Sequence, residues 1–340
     1  MRVAILGAGS LGTIIGALIT KGVDQNTEVV LIDVNKAHVE ALNTSGATIT
    51  GHLETNIPVK AIVPDNMEGI YDLVVLLTKQ TFNDQALKPL LNHLDENSTV
   101  CTLQNGIPEE FVASYVGKER TVGGAVGFGA TWVSPGVSML TSSYETVQRF
   151  AFDIGEINGE VTERIKKVQQ VLSHVGNTEI MTNLMDVRWT KVLMNATFSG
   201  MSAALGCTFG EVLDNEKAMH ALAYVADEVI KTANKNGNKI VFMQGKEMSD
   251  LEILKGQSPK DKMDFYHEVW GRHRALKASM LQDLEKGIPC EIDFINGYVA
   301  QKGREFGIET PYNDKIVELV KEAEAKKIVP SFDENIKRFH

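Results

Sequence analysis

Two groups of residues in this chain have types and spacings that could do chemistry. The first is Gly7-Ala8-Gly9-Ser10-Leu11-Gly12, a G-x-G-x-x-G run, with Asp33 about 20 residues beyond it. Gly7 permits a tight turn, Gly9 lets the backbone approach a pyrophosphate, and Gly12 lets a helix pack closely on a strand. A helix starting there points free N–H groups and its positive dipole end at phosphates. Asp33 can accept hydrogen bonds from both ribose hydroxyls and would repel a 2′-phosphate, which favours NAD(H) over NADP(H). It also reads as an ordinary strand-end acid capping the next turn. Lys36 is close enough in sequence to reach a phosphate, so NADP(H) stays open.

The second group stands among apolar neighbours in the other half. Lys191 and Asn195 are four apart on one face of the helical pattern RWTKVLMNATFSG, 188–200. Burying a lone ammonium is costly without a partner, and a lysine partly desolvated in a cleft gives up its proton more easily. Ser279 and Asp283 share a helix face in SMLQD, and Glu291 and Asp293 open EIDFING just after Pro289. Taken alone, Lys191 also reads as a snorkelling side chain, and Glu291 as an acid satisfying a helix start. A cationic acid beside a ketone that receives hydride would stabilise and protonate its oxygen. No cluster has metal-ligand spacing, so no metal is expected.

These groups need a scaffold. RVAIL (2–6) reads as a buried parallel strand, a helical pattern runs from about 11 to 21, and EVVLID (28–33) is a second buried strand ending in Asp33. YDLVVLLTK (71–79) and STVCTLQNG (98–106) are further strands, with a helix over about 82–94 between them. In open parallel sheets ligands bind beyond the carboxyl ends of the strands. Asp33, Thr78, Lys79 and Asn105 fall at such ends, although Asn105-Gly106 alone is also a plain turn. VGGAVGFGATWVSPG (122–136), QRFAFDIG (148–155) and NTEIM (177–181) read as strands extending the same sheet, with a helix near 160–174. Helical patterns follow at 184–204, 215–236, 262–286, 291–306 and 311–325. The expected organisation is a Rossmann-like dinucleotide-binding domain over 1–182 and a mostly helical substrate and catalytic domain over 183–340.

Composition narrows the partners. Lys+Arg 34 against Asp+Glu 44 gives a net charge of −10, which argues against non-specific nucleic-acid binding. Cys101, Cys207 and Cys290 make no disulfide framework and fit inert thiols in a reducing cytoplasm. Residues 3–19 carry no charge, as a signal peptide or membrane span would. The four glycines inside that run, and the strand VVLID after it, make a buried strand and a tightly packed helix the better explanation. No membrane contact is expected.

Together, GAGSLG (7–12), TK (78–79), QNG (104–106), RWTKVLMN (188–195), SMLQD (279–283) and EIDFING (291–297) resemble the ketopantoate reductases, or 2-dehydropantoate 2-reductases, over almost the whole chain. Lys-x-x-x-Asn also occurs among β-hydroxyacid and 6-phosphogluconate dehydrogenases, whereas SMLQD followed by EIDFING points to the ketopantoate branch. The resemblance implies an α/β fold, with a Rossmann-like domain followed by a helical domain of the 6-phosphogluconate-dehydrogenase-like type. It implies that Lys191 is the general acid delivering a proton to the keto oxygen, assisted by Glu291. Asn195 and Ser279 would bind the substrate's carboxylate and hydroxyl groups. Asn105 would lie near the nicotinamide or the substrate, Thr78 and Lys79 near the cofactor, and Asp283 would support Ser279.

Two departures bear on the substrate. The family pattern has a second asparagine one turn after the first, and here Ser199 makes a shorter substrate contact. Residues 241–272 look longer than is usual in the family, as a lid or partner surface, with Phe265 and Trp270 lining a larger pocket. With Asp33, these raise a close alternative: an NAD-dependent D-2-hydroxyacid dehydrogenase of the D-mandelate type, acting on branched or aromatic 2-oxo acids such as benzoylformate. A non-catalytic nucleotide sensor is the remote alternative, since a sensor would not retain a proton donor. The expected partners are a small 2-oxo or 2-hydroxy acid and a second copy of the chain in a homodimer.

Overall fold

The computed structural model describes residues 1–339. Contacts divide the chain into two units, Met1–Gln104 with Pro108–Leu184, and Asn105–Ile107 with Met185–His340.

The first unit begins β1 (Arg2–Leu6), α1 (Ser10–Gly22), β2 (Glu28–Ile32), α2 (Lys36–Ser45), β3 (Ala47–Gly51), β4 (Thr55–Ile57), β5 (Lys60–Ile62) and β6 (Leu73–Leu76). It continues α3 (Asn83–Leu90), β7 (Thr99–Thr102), α4 (Glu109–Val116), β8 (Thr121–Val126), β9 (Ala130–Ser134) and β10 (Val137–Leu140). It closes with α5 (Tyr144–Arg149), β11 (Phe152–Gly155), α6 (Glu163–Leu172) and β12 (Thr178–Ile180). The main sheet has eight strands in the order β12-β11-β8-β7-β6-β1-β2-β5. All pairs are parallel except β8 with β11. Its central strands are buried on both faces, which is why they read as unbroken apolar runs rather than alternating ones.

The expectation for residues 122–136 needs correction. β8, β11 and β12 do extend the main sheet, but β9 and β10 leave it. They join β3 and β4 in a separate four-stranded sheet, β4-β3-β10-β9. Helix α1 packs on β9 and β10 as well as on β1 and β2. Apolar surface therefore covers it all round, and residues 12–19 are buried without a break. This explains the uncharged N-terminal run: the helix lies between two sheets. Among the described residues, no helix is long and apolar enough to cross a membrane.

The second unit contains α7 (Leu184–Met194), a π turn (Asn195–Ser199), α8 (Gly200–Leu205), α9 (Phe209–Leu213) and α10 (Glu216–Lys235). Then come α11 (Met263–Trp270), α12 (Ser279–Glu285), α13 (Asn296–Phe306) and α14 (Pro311–Lys326). The single helix expected over 262–286 is two. Between them, the carbonyls of Leu276 and Arg274 accept Phe209 and Gly210 N–H at 3.0 and 2.8 Å, satisfying orphan donors at the start of α9. This tertiary capping overrides an intact helical period. The helix expected from 291 starts five residues later, after a 3₁₀ turn at Ile292–Phe294.

Trp270 is core rather than pocket lining: it stacks on Phe198 at 4.7 Å and is 3% exposed. Phe265 is half-buried, with the Lys246 ammonium 5.6 Å from its ring centre. The 241–272 stretch is fastened to α7 and α10. Val241 N–H donates to Thr190 Oγ1 and Ile253 N–H to Asp227 Oδ1, both at 2.9 Å.

Candidate active site

In the first unit the candidate cofactor site is made of backbone. Gly7 has φ +99°, and a Cβ there would fall 2.5 Å from Thr78 N. A Cβ on Gly12 would fall 2.1 Å from Gly7 O, so close approach forces that glycine. Gly9 differs, because a Cβ there meets nothing within 4 Å. Open space in front of Gly9 is what a pyrophosphate approaching the backbone needs. Gly7 and Ala8 N–H both donate to Ile32 O, at 2.9 and 3.1 Å, tying the loop to the carboxyl end of β2. Helix α1 starts with neither a side-chain cap nor an acid in its first turn, where Ser10 and Leu11 sit half-buried. A bare helix N-terminus of this kind fits an anion, so these residues fit a dinucleotide.

The strand-end residues surround that loop within the first unit. Asp33 follows β2, half-buried, and its Oδ1 accepts Asn35 N–H at 2.9 Å. Asn35 in turn caps α2 through His38 N–H, and Lys36 is exposed at the start of that helix. Gln104 holds Thr78 from below, its Nε2 donating to Thr78 O at 2.7 Å and to Asn83 Oδ1 at 2.6 Å. Lys79 is half-buried beside Thr78 and opens the 3₁₀ turn Gln80–Phe82.

His38 is a contributor the sequence did not reveal. Its ring is 1% exposed. Nδ1 accepts Gly136 N–H at 2.9 Å, and Nε2 lies 2.7 Å from Ala8 O and 3.1 Å from Thr13 Oγ1. An acceptor at Nδ1 fixes the neutral tautomer with its proton on Nε2, which donates to Ala8 O. One imidazole thus braces the glycine loop against the β9–β10 turn. Its partner is 98 residues away in sequence, so no local spacing could signal it.

In the second unit, Lys191 lies on α7, and Asn195 and Ser199 begin and end the π turn. These three and Met194 form the half-exposed stripe of a segment that is otherwise buried from Val187 to Leu205. Ser279 is the first residue of α12 and exposed, whereas Asp283 is buried one turn later. Glu291 is buried just ahead of the 3₁₀ turn, and Asp293 is exposed and paired with Lys321 at 2.7 Å. Side-chain bonds fasten the segments that carry these residues. Ala278 N–H donates to Ser202 Oγ at 3.2 Å, pinning the start of α12 to α8. Asn296 Nδ2 donates to Ala196 O at 3.0 Å, pinning the segment after Glu291 to the π turn. Asn105 is half-buried and belongs to this second unit, where Ile107 joins the helical core.

Burial pushes the thiols of Cys207 and Cys290 up to about 12, and Cys101 is buried as well. Among the described residues no group of His, Cys, Asp and Glu could hold a metal ion.

A mostly parallel sheet with a phosphate-fitting glycine loop, followed in the chain by a mostly helical unit with a lysine on the half-exposed stripe of a buried helix, is the make-up of a nicotinamide-dependent dehydrogenase. The ketopantoate reductase PanE/ApbA family matches residues 3–150, and its C-terminal part matches 183–324, so the chain belongs to that family. A 2-dehydropantoate 2-reductase from Pyrococcus horikoshii is 29% identical over 327 residues, covering 96% of this chain and 98% of its own length. The 2-dehydropantoate 2-reductase structure from Geobacter metallireducens has a TM-score of 0.79 at 26% identity, covering 95% of this chain and all of that one. A D-mandelate dehydrogenase solved with NADH and anilino(oxo)acetate shares the fold, with a TM-score of 0.81 at 24% identity, covering 96% and 99%.

Proposed function

We propose that this enzyme reduces a 2-oxo acid to the 2-hydroxy acid, with ketopantoate, which becomes (R)-pantoate, as the leading substrate. The observation that carries the reading is the stripe of Lys191, Asn195 and Ser199 on an otherwise buried helix. A lysine at such a place is partly screened from bulk water without being sealed in the core. The nicotinamide cofactor, when bound, supplies the hydride. Lys191 donates a proton from Nζ to the keto oxygen as negative charge builds there, which both stabilises and neutralises it. Glu291 keeps that lysine oriented and protonated. Asn195, Ser199 and Ser279 hold the substrate's carboxylate and hydroxyl groups, with Asn105 beside them and Asp283 supporting Ser279. Gly7, Ala8, Gly9, Ser10, Leu11 and Gly12 hold the pyrophosphate, and Thr78 and Lys79 flank it. Asp33, a carboxylate at the end of β2, selects NADH.

A second reading is favoured by Ser199. A shorter residue at the end of the π turn leaves room for a bulkier acid, as in a D-2-hydroxyacid dehydrogenase of the D-mandelate type. A panel of 2-oxo acids including ketopantoate and benzoylformate, each with NADH and NADPH, separates these. Preference for ketopantoate with NADH is expected. Faster turnover of benzoylformate makes the second reading correct, a preference for NADPH removes the role given to Asp33, and no turnover of any acid removes both readings.

A further inference from the structure

The helix that carries Lys191, Asn195 and Ser199 is not regular. At its π turn, Gly200 N–H donates to Asn195 O, five residues back, and is shared with Thr197 O. In an α-helix that N–H would go to Ala196 O. Ala196 O instead takes an N–H from Asn296 Nδ2, at 3.0 Å.

Asn296 is fully buried, and its amide is the end of a relay. Its Nδ2 also donates to Asn313 Oδ1 at 2.9 Å, and Asn313 Nδ2 donates to Glu228 Oε2 at 2.7 Å. Glu228 is held at the start of α14, where Oε1 accepts Tyr312 N–H and Oε2 accepts Asn313 N–H, both at 2.9 Å. Those backbone donors need acceptors, so the Glu228 oxygens must face them. That fixes the orientation of each amide in turn. Asn313 must point its NH₂ at Glu228 and its oxygen at Asn296, and Asn296 must then point its NH₂ at the π turn. Among the described residues Asn296 Oδ1 has no hydrogen-bond partner. A buried amide that leaves its own oxygen unsatisfied is kept for its donors. Gly200 makes room for it, because a Cβ there would fall 2.7 Å from Asn296 Oδ1 and 3.0 Å from Nδ2.

We propose that Asn296 is a positioning residue for the reaction: its amide holds the π turn open at Ala196, and Gly200 is the space that admits it. An α-helix carries residue i+4 about 40° past residue i. The wider π turn takes back much of that drift, so Ser199 returns toward the line of Lys191 and Asn195. Asn296 touches neither substrate nor cofactor and acts through the helix. The proposal rests on the reading of Lys191, Asn195 and Ser199 as groups that meet the substrate.

The test uses the full chain with Asn296→Ala, Asn296→Asp, Gly200→Ala and the double variant Asn296→Ala/Gly200→Ala. Three quantities are read for each: steady-state kinetics on the 2-oxo acid that wild type turns over best, NADH binding by fluorescence, and Tm. The expected result is a fall in kcat/KM of about 10- to 100-fold, shared between kcat and KM, since misplacement by an ångström costs about that much. The NADH Kd should stay within about twofold of wild type. Gly200→Ala keeps the amide but displaces it, so it gives the readout even if Asn296→Ala fails to fold. The double variant should lose no more than the worse single one. A lowered Tm with wild-type kcat and KM well below the transition overturns the proposal. Crystal structures of Asn296→Ala and Gly200→Ala give a second readout that needs no substrate. Gly200 N–H should move to Ala196 O in each, and a π turn that persists overturns the proposal. Wild type that turns over no 2-oxo acid would instead count against the proposed function.

Discussion

The two units present their candidate site residues in opposite materials. In the first, the candidate groups are the uncapped backbone at the start of α1 and the open space at Gly9, on a loop that Gly7 and Gly12 allow to pack closely. In the second the candidate groups are side chains, three of them on one stripe of one helical segment. Each is braced by a buried polar residue, but the braces work differently. His38 both gives and takes a hydrogen bond as a neutral ring. The Asn296–Asn313 relay takes its direction from a carboxyl group at one end. The lesson is that a backbone site fails when atoms are added, and a side-chain site fails when they are removed.

The largest effect should therefore come from truncation in the helical unit. Lys191→Ala is expected to cut kcat by about 10²- to 10⁴-fold, as loss of a general acid does, while NADH binding stays intact. A near-normal kcat would take Lys191 out of the mechanism and blur the contrast. In the cofactor unit, adding a single carbon should separate two glycines. Gly12→Ala forces a Cβ to 2.1 Å from a backbone oxygen and should cost at least 1–3 kcal/mol of stability. Gly9→Ala meets no atom within 4 Å, so its melting should match wild type while NADH binds more weakly. Equal loss of stability in both variants would show that Gly9 is spaced for folding and not for a ligand.

The most gradual effect, spread over a pH window, concerns the acid that orients the relay. Burial raises the Glu228 carboxyl from 4.5 to about 7, against the pull of its Tyr312 and Asn313 donors. The folded protein then binds this proton more tightly than the unfolded chain. The associated stability is fully present below about 4.5 and is lost as pH rises toward 7. The shift corresponds to about 3 kcal/mol at most. Denaturant unfolding across that window should show this decline in wild type and a flatter profile in Glu228→Gln. Parallel profiles would show that Glu228 does not titrate there.

Much of the first unit was legible because its central strands are unbroken apolar runs punctuated by glycine. The second sheet was not. β4 has only three residues, and β9 keeps most of its side chains outside the core, so neither carries a strong period. In the helical unit, the polar residues of the stripe could be picked out as exceptions in an apolar pattern. The π turn could not, since Asn-Ala-Thr-Phe-Ser continues a helical pattern, and the amide bonded to it lies 100 residues further on. The break between α11 and α12 escaped for the same reason, its cause being the start of α9.

Burial of all three thiols has a practical side. Cys101, Cys207 and Cys290 are out of reach, and the last two resist ionisation. The protein is accordingly a quiet background for chemical labelling. One cysteine introduced at Val34, which is 78% exposed and adjacent to Asp33, would be the reactive thiol on the surface. A dye attached there would sit beside Asp33, the carboxylate proposed to meet the ribose, and would test that role by its response to cofactor without passing through the reaction at all.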